Sequence, residues 1–333
     1  MEAALDPLDD EEEVPLAVLS ADTAAAIEQL RADARAAAEA SRAPSTERAY
    51  AADWRDFAAF AARIGRRRQP AEPETVALYV ADLARRGRRP ATIARKLAAI
   101  AVFHRAAGAA SPTEHDVVRA VVRGVRRQLG VAQPQKTALE LQPLRAVVTP
   151  IAADPRGRRD RALLLVGWAA ALRRSELAAL RVDGVRFEPE GVVLTIRRSK
   201  TDQDAAGATV AVPFGAEEAT CPVRALRAWL DVRGPAGAGD LVFGRIDRHG
   251  NIGASLTPMA IAKIIRERAA AADVAGDFAG HSLRAGFATT AAALGRSESA
   301  IMRHGRWKNA QVARRYIRHG MQWIDNAATD IGL

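Results

Sequence analysis

A chain of 333 residues, 49% of them hydrophobic, is long enough for two domains that each bury a core without staples. Its one cysteine, Cys221, excludes an internal disulfide and any multi-cysteine metal site, and fits a reducing compartment. No apolar run approaches the roughly 18 residues of a membrane span, and the N-terminus is acidic rather than basic and then apolar, so the expected location is the cytoplasm.

The net charge of +10 is unevenly divided. Residues 1–40 carry two arginines against eleven acids, a net −9, whereas residues 41–136 carry 19 basic and 8 acidic residues, a net +11. The remainder carries 28 basic and 20 acidic residues, a net +8. Two basic segments behind an acidic leader suit a polyanion binder; charges that merely solvate helices are the plain alternative.

Residues 1–20 mix acids, Pro7 and Pro15 without a period and are expected to be disordered. Residues 21–40, with Ile27, Leu30 and Ala34 at helical spacing, suit a helix. From Ser45, aromatic residues at Tyr50, Trp54, Phe57 and Phe60 recur every three or four positions. Helices opening near Pro73 and Pro90 follow, stopped at Gly87 and Gly108, and a fourth after Ser111-Pro112 ends at Gly130. Residues 41–130 thus predict a four- or five-helix domain. Arg85, Arg86, Arg88, Arg89, Arg95 and Lys96 cluster at one helix junction, where they could meet a DNA backbone or simply solvate the surface. The polar, proline-containing stretch 131–137 is the expected linker, leaving 138–333 as a second domain.

That second domain opens with helices expected near 139–151 and 158–180. The latter is apolar almost all round and runs into Arg173-Arg174-Ser175-Glu176-Leu177. An arginine there is costly unless a partner or a ligand anion meets it; a local pair with Glu176 is the simpler reading. Short β-branched runs at 185–187, 192–196 and 209–212 predict a small antiparallel sheet, with Lys200 in the turn between the last two. Helices near 222–233 and 258–272 precede the final stretch, which holds His281, Arg284, Trp307 and Tyr316.

These pieces resemble the tyrosine recombinase (phage integrase) family over roughly 41–325. The likeness rests on Leu172-Arg173-Arg174-Ser175-Glu176-Leu177, Arg198-Ser199-Lys200-Thr201, His281-Ser282-Leu283-Arg284-Ala285-Gly286, and Gly305-Arg306-Trp307 ahead of Arg315-Tyr316-Ile317-Arg318. One such motif is weak, but four in family order behind a basic helical domain are strong. The resemblance implies a mainly α fold with a small β-sheet: a helical core-binding domain and an α+β catalytic domain closing like a C around duplex DNA. It implies Arg173 and Arg284 as phosphate clamps, Lys200 as hairpin lysine, His281 as active-site histidine, Glu176 as supporting acid and Tyr316 as nucleophile. The sixth position, often a histidine nine residues before the tyrosine, is Trp307 here, as in Cre-like members; His304, twelve before it, fits less well. Four protomers on two DNA sites are also implied, with a C-terminal helix around Met321–Ala328 docking on a neighbour.

The chemistry suits these residue types. Two guanidiniums offer fixed donor forks to the non-bridging oxygens of a phosphodiester, and losing one such donor costs roughly 2.7–4 kcal/mol. A tyrosine with a free pKa of about 10 needs nearby positive charge and a proton acceptor before it attacks phosphorus. His281 lies three residues before Arg284, so on a helix both face one phosphate. No metal-binding or ATP-binding motif is present in the sequence, and no cofactor is expected. A type IB topoisomerase and a non-catalytic DNA-binding protein of the same fold remain the alternatives.

Overall fold

The computed structural model describes residues 25–33, 44–130, 136–197, 207–324, 326 and 328. The chain forms two compact units, Met1–Val131 and Ala132–Leu333.

In the first unit, residues 25–33 are helical and largely exposed. Four longer helices follow: α1 (Pro44–Arg63), α2 (Pro73–Arg85), α3 (Pro90–Ala106) and α4 (Asp116–Leu129). Prolines open α2 and α3, where a missing N–H costs nothing, and Gly87 and Gly108 close the turns behind them with φ of 67° and 68°. The periodic aromatic residues converge as expected: Phe57, Phe60 and Tyr79 pack ring on ring beside Val76, Leu83, Ile93 and Ile100.

The basic junction of this unit divides into two kinds of residue. Arg85, Arg88 and Arg89 are exposed. Lys96 is instead buried, 8% exposed, with its ammonium 3.1 Å from Asp53 and 2.8 Å from Asp56. Arg95 pairs with Asp53 at 3.0 Å, and Arg86 pairs with Asp82 at 2.9 Å and Asp56 at 3.5 Å. Lys96 therefore staples α3 to α1 and holds carboxylates rather than a phosphate. Charge spacing alone does not separate these two roles, because the aspartates that decide it lie on other helices.

The second unit begins with α5 (Leu141–Val148) and α6 (Pro155–Ala169), followed by the short α7 (Arg174–Ala178). The single helix expected over 158–180 is in fact two. It breaks at Ala170–Arg173, with Ala171 in the left-handed region at φ 47°, and Arg173 becomes the residue that caps α7. The break is invisible to periodicity because residues on both sides of it are buried. A three-stranded antiparallel sheet, β1 (Val185–Glu188), β2 (Gly191–Ile196) and β3 (Ala208–Pro213), lies in sequence order. Lys200 and the turn around it lie outside the described residues. Then come α8 (Pro222–Arg233), α9 (Pro258–Ala271), α10 (Ser282–Ala293), α11 (Glu298–Gly305) and α12 (Ala310–Gly320). Among the described residues, no helix is long and apolar enough to cross a membrane.

The staple makes a stability prediction. Burial pushes the Asp56 carboxyl up, but hydrogen bonds from Lys96 and Tyr79 outweigh it and hold the group at about 2, below its ordinary 3.8. A depressed carboxylate stabilises the fold above its unfolded value, so this contribution is complete above pH 4 or so and fades as pH falls toward 2. Lys96→Met leaves Asp53 buried without its ammonium and should cost about 3 kcal/mol in urea unfolding at pH 7. The difference from the unaltered protein should shrink as the pH is lowered through that window.

Candidate active site

The site is built around the carbonyl end of α6. A helix C-terminus leaves unpaired carbonyls and a partial negative charge, which cations satisfy. Here the Ala169 carbonyl faces His304 Nε2 at 2.7 Å, and the Ala171 carbonyl accepts from Arg284 Nη1 at 2.6 Å. Arg306 Nη1 donates to the Ala170 carbonyl at 3.4 Å and to the His304 carbonyl at 3.2 Å. Three distant stretches of sequence are thereby drawn to one point.

Glu176 sits at the next turn with its side chain fully buried. Its Oε2 accepts from the Arg173 backbone N–H at 2.9 Å and from Arg306 Nη2 at 3.0 Å, and its Oε1 accepts from Arg173 Nη1. Burial pushes its pKa up, yet the Arg173 backbone hydrogen bond and the charges of Arg306 and Arg173 bring it below the ordinary carboxylate value. The acid is therefore ionised at neutral pH and spans two guanidiniums. The local pair with Glu176 that the sequence suggested is present, but shared with a third residue.

Arg284, on the first turn of α10, is 4% exposed and lies over the Trp307 ring with its guanidinium carbon 3.9 Å from the ring centroid. Burial lowers its pKa to about 9, with the charge of Arg173 adding to the shift, so it remains cationic at neutral pH. Its Nη2 is buried and has no hydrogen-bond partner among the described residues. A buried guanidinium N–H so placed, near Arg173, Arg306 and the Glu176 carboxylate, suits an anionic acceptor.

Trp307 also packs against Tyr316, with ring centroids 6.2 Å apart. Tyr316 is half-buried on α12, a helix held by Ala313 and Ile317 against Ala288 and Ala292 of α10. Arg284 and Tyr316 thus flank one indole ring. His281 is exposed at the N-terminal edge of α10, three residues before Arg284. Arg173, Glu176, His281, Arg284, Trp307 and Tyr316 all belong to this one unit, and Lys200 falls outside the described residues.

Two glycines explain part of the motif spacing. A Cβ on Gly286 would overlap the Leu139 carbonyl, which also accepts from Trp168 Nε1 at 2.8 Å. The segment that enters the unit at Leu139 therefore lies directly on α10, and only glycine permits that approach. A Cβ on Gly305 would overlap the Trp307 ring. His304, the nearby alternative, stacks on Phe287 with centroids 4.6 Å apart and is turned to the Ala169 carbonyl. The residue that sequence reasoning passed over is Arg306. It stands inside the quoted Gly305-Arg306-Trp307 motif, but nothing in its spacing signals a bond to Glu176.

The sequence matches the phage integrase family over residues 138–322, and the N-terminal SAM-like domain of phage integrases over residues 36–110. The chain belongs to the phage integrase family. An integrase/recombinase xerD homolog of Selenomonas ruminantium is 35% identical over 310 residues, covering 90% of this chain and 89% of that protein. Recombinase cre of Escherichia phage P1 is 28% identical over 284 residues, covering 80% and 81%. As a member of this family the chain is a site-specific DNA recombinase of the tyrosine class. Among solved structures, the Tn1549 transposon integrase in complex with transposon right end DNA superposes with a TM-score of 0.61 at 15% identity, covering 83% of this chain and 89% of that one. A lambda integrase dimer bound to a COC′ core site gives 0.57 at 13% identity, covering 84% and 90%. These likenesses show that the phage integrase chain shares their fold.

Gly305→Ala should force Trp307 off the Arg284 guanidinium at a cost of about 1–3 kcal/mol of overpacking strain. Thermal melting should register the loss, and the near-ultraviolet circular dichroism of the tryptophans should change with it.

Proposed function

We propose that this chain cuts and rejoins duplex DNA through a 3′-phosphotyrosyl intermediate on Tyr316, without metal or ATP. The observation that carries this reading is the buried, unpartnered Nη2 of Arg284, held on Trp307 beside Tyr316 and electrostatically coupled to Arg173. A phosphodiester placed there supplies the missing acceptor.

Arg284 and Arg173 take the non-bridging oxygens, and their positive charge stabilises the extra charge of the pentacovalent transition state. The Tyr316 hydroxyl attacks phosphorus in line, losing its proton to His281, and the P–O5′ bond breaks. Lys200 gives the departing 5′-oxygen its proton. Trp307 packs the site and offers its indole N–H to a phosphate oxygen. The phosphotyrosyl ester retains the diester's energy, so a 5′-hydroxyl from a second DNA end reverses the step: it takes the phosphoryl group and returns the proton to the tyrosine oxygen.

The exposed Arg85, Arg88 and Arg89 of the first unit contact the phosphate backbone, with Arg86 and Arg95 at the margin of that surface. The assembly is a homotetramer on paired sites in the cytoplasm. Support for docking between protomers comes from two features of the second unit. Met321, Trp323 and Ile324 beyond α12 are 39%, 81% and 38% exposed. A groove of about 500 Å³, lined by Leu144, Leu165, Trp168, Phe287, Leu294 and Ile301, can receive such a segment from a neighbour.

A pool of nicked duplexes of randomised sequence, incubated with the protein and then denatured, should yield a covalent protein–DNA adduct. Sequencing the adducted DNA would identify the site. Tyr316→Phe should abolish the adduct, and Arg284→Ala should lower its rate by about 10²–10³-fold. An adduct that persists in Tyr316→Phe rejects the assignment. Trp323→Ala should leave cleavage of a single site intact while reducing paired-site complexes in native gels; unchanged pairing would remove the docking role.

A further inference from the structure

Arg306 is the residue of the site with the most contacts and no assigned task. Its backbone sits in the left-handed region at φ 58°, where a side chain is strained and glycine is at ease. An arginine occupies it all the same, with its side chain 12% exposed. Its Nη1 and Nη2 donate to the Ala170, Ala171 and His304 carbonyls and to Glu176 Oε2, at 3.0–3.5 Å. Strain maintained at such a position marks a constraint imposed from elsewhere.

The constraint is visible in how Glu176 is shared. Arg173 and Arg306 approach the same carboxylate, one at each oxygen. Without Arg306, Oε2 would keep only the Arg173 backbone N–H, and the carboxylate would be free to turn both oxygens onto the Arg173 guanidinium in a bidentate fork. That fork would bury the donors of Arg173 in a neutral pair. With Arg306 in place, the two guanidiniums share the one negative charge of Glu176. Arg306 also precedes Trp307 directly, and the turn at this residue brings the Trp307 N–H to the Met302 carbonyl at 3.0 Å. One residue thus ties the Trp307–Tyr316 half of the site to the Arg173 half.

We propose that Arg306 is a positioning residue which, by holding one oxygen of Glu176 and the carbonyl end of α6, keeps the Arg173 guanidinium turned toward the scissile phosphate. The proposal rests on the reading of Arg173, Arg284 and Tyr316 as the cleavage site. It assigns Arg306 no contact with DNA.

Arg306→Gly removes the guanidinium while giving the backbone the residue its conformation favours, so folding should be preserved. Single-turnover adduct formation on a nicked duplex, DNA affinity and melting temperature should be measured together. In Arg306→Gly the adduct rate at saturating DNA should fall about tenfold or more, while the dissociation constant for DNA stays within about threefold and melting is unchanged or raised. Arg306→Lys, which restores a charge but not two donors in one plane, should recover only part of the rate. In an Arg173→Lys background, adding Arg306→Gly should cost much less than it does alone, because both act on one interaction. An adduct rate within about twofold of the unaltered protein, or losses that multiply fully in the double variant, overturns the positioning role. If Arg306→Gly melts early, the Arg306→Lys pair with Arg173→Lys decides by the same criterion. Absence of any adduct from the unaltered protein overturns both the site reading and the inference built on it.

Discussion

A single buried carboxylate governs where positive charge can reside in this site. The charge of Arg173 disfavours the charged form of both Arg284 and Arg306, Arg306 adds to the effect on Arg284, and Glu176 is the acid that opposes them. Among the described residues these three guanidiniums face the one carboxylate of Glu176, and burial makes such an excess of positive charge expensive. The fold tolerates it because the carbonyl end of α6 supplies partial negative charge without a countercharge of its own. Among the described residues the buried Nη2 of Arg284 and Nε of Arg306 find no acceptor, and the proposed role of the first is to meet a phosphate oxygen. A site of this kind stabilises a phosphate best when charge on the phosphate is greatest, which is the condition for lowering a barrier rather than merely binding substrate.

The same carbonyl end explains how residues far apart in sequence keep register with one another. Ala169, Ala170 and Ala171 accept from His304, Arg306 and Arg284, so the end of α6, the first turn of α10 and the end of α11 move as one body. Close backbone approach reinforces this. Gly286 admits the chain at Leu139 onto α10, and Gly320 lets the end of α12 lie against the Thr289 carbonyl. Tyr316 is one turn before Gly320, so the proposed nucleophile inherits its placement from packing on α10, whose Thr289 Oγ1 donates to the Tyr316 carbonyl at 3.5 Å.

Helices of the first unit were legible because prolines, glycines and aromatic periods mark their ends and faces. The sheet was legible because β-branched residues alternate there, and four motifs in order made the catalytic residues nameable. What was not legible shares one physical character. The break at Ala170–Arg173 lies within a uniformly buried run, where periodicity carries no signal. Lys96 looked like a surface cation until Asp53 and Asp56, forty or more residues away in sequence, were brought to it. Arg306 was inside a quoted motif, yet its meaning depends on Glu176, 130 residues earlier. Local pattern reports the elements; pairings across the core are decided by tertiary geometry.

The choice of Trp307 over His304 has a chemical consequence for the proposed mechanism. His304 cannot turn to a phosphate without abandoning both the Ala169 carbonyl and its stack on Phe287, and burial holds its pKa down, so it stays neutral and structural. An indole donates one hydrogen bond and neither accepts nor releases a proton near neutral pH. With tryptophan at this position, the site keeps a flat apolar wall that supports the Arg284 guanidinium, and gives up one candidate for proton transfer. In the proposed mechanism the burden of moving protons then falls on His281, exposed at the edge of α10, and on Lys200, which follows β2 in the sequence. The proposed mechanism thereby separates positioning from proton transfer: buried Arg284 and Glu176 hold charge fixed, while His281 stands exposed at the edge of α10.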